Sequence, residues 1–471
     1  MCKLRCRSMD ATTTVFAGAA KQARMLASGE ITSSELLELY LERIARLDGE
    51  LNAYRIVLWH SARVDAIDAQ RRLDAGERLP LLGVPIAIKD DVDVAGESTA
   101  WGSAAHGPAK LRDAEVVQRL RDAGAIVIGK TNVPEMTIWP FTESATFGVT
   151  RNPWDTARSP GGSSGGTAAA VAAGLAPFGL GSDGGGSIRT PATWCGVYGI
   201  KPQRDRVPIG PHDDGWHGLI VNGPITRTVE DAALFLDVTT TLPPPHGGFV
   251  AAAARAPVRL RIAFSTKSPL GLVARVGKAQ QAAVGEAATL LRSLGHDVVE
   301  RAPDYAVMSA GWNVMARYLR GIHDDAAKMA HPERLEPRTR SMARAGGRIS
   351  DRRIASVRAG ETALAARVNA IFDDIDVVLT PGTATGPPRV GAFTQRGAFI
   401  TLNATMGRSP FQAIFNATGQ PAAVVPWGFD GSGLPTSVQL VGRPADEATL
   451  LALSAQIESV RPWAHRRPPV S

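Results

Sequence analysis

The sequence predicts an α/β fold built on one large mixed β-sheet surrounded by helices. Helical and strand-like segments alternate through the first 130 residues, the pattern of layered α/β architecture. Near the other end, Asp376–Pro381, Ala422–Pro426 and Val438–Val441 are short, almost wholly apolar runs, which read as strands covered on both faces. A chain of 471 residues, 44% hydrophobic and 21% charged, has ample material for such a core.

Taken in order, helices are expected at 14–28 and 33–47. The second opens on Thr32-x-x-Glu35, a capping box. A third helix spans 58–76 and stops at Gly76. Val84–Lys89 alternates like a strand, Val116–Asp122 is a helix and Ala125–Ile128 the next strand. Thr228–Val238 reads as a helix, 240–257 as a Pro-, Gly- and Ala-rich connector, Leu260–Phe264 as a strand and 275–294 as a long helix. Residues 300–350 are Arg- and Ala-rich and helical in character, whereas 382–397 carry few regular signals and read as a loop.

The chemistry concentrates between Ser159 and Lys201. Two serine-bearing glycine clusters flank an alanine-rich run, with Ser163 and Ser187 24 residues apart. Glycine lets the backbone take φ > 0 and approach a substrate closely. Gly184, Gly185 and Gly186 could therefore turn their N–H groups toward a developing oxyanion, with Ser187 as the attacking hydroxyl beside them. Serine is a weak nucleophile until a base takes its proton. Lysine can serve only when neutral. Its pKa of about 10.4 falls when it is buried. Lys89 follows Val84, Ile86 and Ile88, so it either ends a buried strand or projects into solvent. Asp183 and Arg189 flank the nucleophile loop and either pair to hold it or stand exposed. Trp139, Phe141 and Phe411 either wall an acyl pocket or are ordinary core aromatics.

The ordered motifs carry a resemblance. They are Lys89-Asp-Asp-Val-Asp-Val-Ala-Gly96, Gly129-Lys-Thr-Asn-Val-Pro-Glu135, Gly161-Gly-Ser-Ser-Gly-Gly-Thr167 and Gly181-Ser-Asp-Gly-Gly-Gly-Ser-Ile-Arg-Thr-Pro-Ala192. Cys195–Pro202, Gly223–Asp231, Asn416–Ala422 and Leu434–Pro444 follow. In this order and spacing the chain resembles the amidase signature family of serine hydrolases from about residue 12 to 460. The resemblance implies that Ser187 is the nucleophile and that Ser163, on a cis peptide bond, relays its proton. It implies that Lys89 ends the relay and that the amides from Gly184 to Ser187 form the oxyanion loop. It also implies a single domain over 12–465, with a signature core at 80–235 and a variable substrate region at 240–400. Three departures stand out. Gly184 occupies a position where members usually carry Ile or Thr, which would loosen the loop. Thr167 replaces a small or acidic residue, and Gln203–Arg206 departs from the usual turn.

Other readings are weaker. Gly161-Gly-Ser-Ser-Gly165 fits the nucleophile elbow, but that elbow needs a buried strand before it, and Thr150–Pro160 shows none. Gly179–Gly184 fits G-x-G-x-x-G, but Pro191 comes too soon for the long helix a dinucleotide site requires. The nine histidines show no metal spacing. Asp90, Asp91 and Asp93 lack the glycine and distal glutamate of a calcium loop, so a solvated turn is expected there. Neither metal nor cofactor is called for.

The net charge of +7 is scattered and not interleaved with aromatics, which argues against nucleic acid. Three cysteines make no disulfide framework, and Cys195 should be buried and inert. No run of 18 apolar residues suggests a membrane span, and the terminus lacks a signal-peptide core. Cytoplasmic placement follows as an expectation, with residues 1–11 a disordered extension. The expected partner is a small-molecule amide, and a homodimer is compatible with the reading. Two alternatives stay open. One is the glutaminase subunit of a tRNA-dependent amidotransferase, although 300–350 lacks that subunit's Tyr-rich segment. The other is a non-catalytic binding protein on the same scaffold.

Overall fold

The computed structural model describes residues 11–211, 214–269 and 274–471. The expected extension therefore lies outside the described residues except for Ala11. Eleven strands form one twisted mixed sheet. In chain order they are β1 (Tyr54–Val57), β2 (Pro85–Lys89), β3 (Ile126–Thr131), β4 (Phe178–Asp183), β5 (Tyr198–Lys201), β6 (Val221–Thr226), β7 (Arg261–Phe264), β8 (Asp297–Glu300), β9 (Val377–Pro381), β10 (Ala422–Phe429) and β11 (Pro435–Gly442). Across the sheet they run β1-β3-β2-β4-β6-β5-β10-β11-β9-β7-β8. Strands from the two halves of the chain thus meet at β5 and β10, where Ile200 faces Ala423.

The expected strands appear where the apolar runs placed them, and every residue of β2, β3, β9 and β11 is buried. Both faces are covered by helices, so the alternation of buried and exposed positions is lost, and even Lys89 on β2, Lys130 on β3 and Gln439 on β11 are buried. The capping box at Thr32 is formed, with Thr32 Oγ1 accepting from the Glu35 amide at 3.1 Å and Glu35 Oε2 accepting from the Thr32 amide at 2.9 Å. The helix expected at 14–28 is two helices, Ala11–Val15 and Ala19–Ala27. Gly18 breaks it with φ +85°, and a Cβ there would lie 2.5 Å from Asp231 Oδ2. Asp231 instead accepts the Ala20 amide at 2.8 Å, so a distant carboxylate serves the second helix as a cap. The 240–257 connector holds one short helix, Gly248–Ala253.

What matters for function is the carboxyl edge of β2 and β4. They are parallel neighbours, with Ile88 opposite Leu180. Lys89 ends β2 and Asp183 ends β4, and the glycine loop 184–187 leaves the sheet at that edge. In open α/β sheets this edge is where ligands bind.

Candidate active site

Lys89 is fully buried. Its Nζ lies 2.8 Å from Ser163 Oγ and 2.6 Å from Ser182 Oγ, and 3.1 Å from Asp91 Oδ2. Burial lowers the Lys89 pKa by disfavouring the ammonium, and the Asp91 carboxylate opposes that fall without cancelling it. The exposed strand-end alternative is thereby removed.

Ser163 reaches Lys89 from the loop before the Gly165–Ala172 helix, and the Gly162–Ser163 peptide bond is cis. A Cβ on Gly162 would sit 2.5 Å from the Trp139 carbonyl oxygen, so no larger residue fits. Ser187 is partly exposed and lines an apolar pocket. Its carbonyl accepts the Ser164 amide at 3.2 Å, which joins the two serine loops.

Asp183 and Arg189 are paired and fully buried, which settles the alternatives for them. Arg189 Nε and Nη2 each donate to the carboxylate at 3.0 Å. Asp183 also accepts the amides of Gly186 at 2.6 Å and Ile188 at 3.1 Å. Burial alone would raise the Asp183 carboxyl, but Arg189 and Asn416 outweigh it and hold it well below the usual carboxylate range. The Gly186 contact corrects one expectation. Its N–H points at Asp183, so among the three glycines only Gly184 and Gly185 keep amides uncommitted to that carboxylate. Gly186, at φ +122°, is there for space: a Cβ would meet Gln412 Oε1 at 1.9 Å. Asp183→Ala should cost about 3–5 kcal/mol, because it strands a buried guanidinium. A denaturation midpoint equal to that of the parent would show that the pair does not hold the loop.

The pocket in front of Ser187 has a volume of about 190 Å³. Trp139, Trp216, Met315, Tyr318, Leu402 and Ile414 contribute apolar walls, and no Asp, Glu, Lys, Arg or His is among its described lining residues. Trp139 is where the sequence placed it. Phe141 and Phe411 are not in the lining. Phe141 stacks behind Trp139 and against Phe393, with ring centroids 5.9 and 4.8 Å away. Phe411 is buried, and its carbonyl accepts from Gln439 Nε2 at 3.1 Å. Gly184 does not leave the loop loose: a Cβ there would lie 2.8 Å from Trp216, whose ring fills the space.

The aspartate turn after β2 is also not solvated. Asp90 is buried between Arg55 Nε at 2.6 Å and Lys130 Nζ at 2.9 Å. Sequence reasoning missed three residues here: Ser182, Asp91 and Asn416. The Asn416 amide donates to the Asp183 carbonyl at 2.7 Å, and its Oδ1 accepts from Arg189 at 2.7 Å. The signal for Asn416 lay within the motif at 416–422, but nothing in the sequence told which of its residues crosses to the loop. Cys195 is buried, and burial pushes its thiol well above the ordinary value. Among the described residues no cluster of three His, Cys, Asp or Glu could hold a metal, and no helix is long and apolar enough to cross a membrane.

A sequence profile of the amidase family matches residues 35–451. The chain belongs to the amidase family. It is 66% identical over 463 residues to the Mycobacterium bovis protein named "Putative amidase AmiB2", covering 98% of this chain and 100% of that one. A solved 6-aminohexanoate cyclic dimer hydrolase bound to substrate is 30% identical, with a TM-score of 0.88 over 97% of this chain and 99% of the other. A bacterial aryl acylamidase of the amidase signature family is 27% identical, with a TM-score of 0.85 over 95% and 96%. The fold is therefore the amidase signature fold, and this family member is an amide hydrolase.

Proposed function

We propose that Ser187 attacks the carbonyl of an uncharged, largely apolar carboxamide, with Ser163 and neutral Lys89 relaying the proton. The observation that carries this reading is the 2.8 Å contact between Lys89 Nζ and Ser163 Oγ in a fully buried setting beside the pocket that Ser187 lines. As Ser187 Oγ bonds to the carbonyl carbon, its proton passes to Ser163 while the Ser163 proton passes to Lys89. The carbonyl oxygen becomes an oxyanion, for which the amides of Gly184, Gly185 and Ser187 are the proposed donors; such donors are worth roughly 3–4 kcal/mol each. When the C–N bond breaks, the proton returns from the ammonium through Ser163 to the leaving amine. Water then cleaves the Ser187 ester by the same relay and releases the acid. Trp139 belongs to the acyl pocket, and Asp183 with Arg189 holds the loop.

The substrate class follows from the lining. A charged acyl group would enter an apolar site with no counter-ion among its described lining residues, and an unpaired buried charge is expensive. The same point disfavours the glutaminase alternative, since glutamine carries two charges. The intact Lys89, Ser163 and Ser187 disfavour a non-catalytic binder. Strands from both halves share one sheet, which supports reading 12–465 as a single domain. Cytoplasmic placement and a homodimer remain part of this reading. A panel of neutral aliphatic and aromatic amides, measured against glutamine, tests it. The neutral amides should exceed glutamine by at least about 100-fold in kcat/KM, equivalent to roughly 2.7 kcal/mol of discrimination. A preference for glutamine would overturn the proposed substrate class.

A further inference from the structure

The lysine of this relay is not alone. Its amino group has three close side-chain oxygens: Ser163 Oγ at 2.8 Å, Ser182 Oγ at 2.6 Å and Asp91 Oδ2 at 3.1 Å. Ser182 Oγ donates its own proton to Asp91 Oδ2 at 2.5 Å. With Asp91 as the carboxylate, neither Ser182 nor Asp91 has a proton to give to Nζ; both can only accept from it. A neutral amine has two N–H bonds and one lone pair. One bond goes to Ser182 Oγ, the other toward the Ser182 carbonyl at 3.4 Å and the Asp91 carboxylate in ion-pair contact, all of which can only accept, and the lone pair is left for the Ser163 hydroxyl. Only that arrangement lets Lys89 accept a proton from Ser163.

We propose that Asp91 is a positioning residue of this enzyme. It aims the Lys89 lone pair at Ser163 through Ser182 and supplies the fixed anion beside which the Lys89 ammonium forms. The charge balance supports this. Before proton transfer the Lys89–Asp91 pair carries one negative charge. Afterwards it is neutral, and the negative charge sits on the oxyanion in front of Ser187. Asp91 does not line the substrate pocket. It borders a separate cavity of about 30 Å³, together with Ser182, Asp93, Asn222 and Asp325, so it acts through Lys89 and not on the substrate.

Other charged groups around the pair are already engaged. Asp183 is held by Arg189, and Asp90 by Lys130 and Arg55. Asp93 contacts Lys110 at 3.3 Å, and Asp325 accepts from Trp216 Nε1 at 2.9 Å. Lys201 lies farther along, near Asp183, with its amino group donating to the Pro202 carbonyl at 2.7 Å and burial lowering its pKa.

The inference rests on the proposed lysine relay, and its test is the pH dependence of kcat/KM for Asp91→Asn on a neutral amide. Asp91 favours the ammonium, so its charge raises the pH at which Lys89 becomes a base. Removing the charge should move the acid limb down by about one pH unit. It should also lower the plateau kcat about 10- to 100-fold, at or below the lower end of what a general acid–base group contributes, since Asp91 acts through Lys89. KM should change little, because the substrate pocket is untouched. Asp91→Ser, smaller and also uncharged, makes the same test if the amide variant does not fold. An acid limb that stays in place or moves up, or a kcat within twofold of the parent, overturns the inference. The two readings fail separately: a Lys89→Ala variant with near-native kcat removes the relay itself, whereas an inactive Lys89→Ala with an unmoved Asp91→Asn profile removes only the role of Asp91.

Discussion

Ser187→Ala should lower kcat on a neutral amide by at least about 10⁴-fold while leaving the melting temperature near that of the parent. Removing a serine nucleophile elsewhere costs roughly 10⁶ in kcat, with residual rate from the oxyanion donors and binding. The fold should survive because Ser187 is partly exposed and the loop is held by others. Asp183 takes the Gly186 and Ile188 amides, and Arg189 and Asn416 hold Asp183. Circular dichroism and kinetics on one preparation check both halves. A Ser187→Ala variant with kcat within tenfold of the parent would place the nucleophile elsewhere.

Lys89→Ala should be almost as damaging, with a loss of several orders of magnitude in kcat, since members of a proton relay fail as a unit. It also leaves Asp91 buried beside an unfilled space, so some stability should go with it. The parent enzyme's pH profile supplies the independent evidence. Lys89 is a base only when deprotonated, and burial lowers its pKa from the ordinary lysine value. Activity should therefore be low where the ammonium persists and rise through neutral pH toward a mildly alkaline optimum. A histidine base would already be active above about pH 6.5. No histidine lies among the described pocket-lining residues, so replacing any one of them should not match the loss from Lys89→Ala. A profile flat from pH 6 to 9 would remove lysine from the mechanism.

The parts of this site legible in the sequence were those with local signatures. Lys89, Ser163 and Ser187 stood in motifs whose order resembled a family, and burial of Lys89 agreed with the apolar run before it. The strands β2, β3, β9, β10 and β11 announced themselves as apolar runs. β4 did not, because Phe178–Asp183 is F-G-L-G-S-D and its glycines suppress the strand signal. Those glycines are present for packing: a Cβ on Gly179 would come within 2.4 Å of Thr167 Cγ2. The Gly186 amide and the Asp91 carboxylate were misread for a shared reason. Their partners, Asp183 and Ser182, act through side-chain directions fixed by tertiary packing, which spacing along the chain does not encode. Trp216 filling the space beside Gly184 is the same case, for it comes from 32 residues away in the sequence.

The most direct test of the account is to label the active parent enzyme with a fluorophosphonate and map the modified peptide. The reagent bonds covalently to an activated serine, and four serines, Ser163, Ser164, Ser182 and Ser187, lie in or beside the two glycine loops. The proposed relay predicts a single adduct on Ser187, lost in Ser187→Ala and strongly slowed in Lys89→Ala. An adduct on Ser163, or labelling of Lys89→Ala at the parent rate, would contradict it.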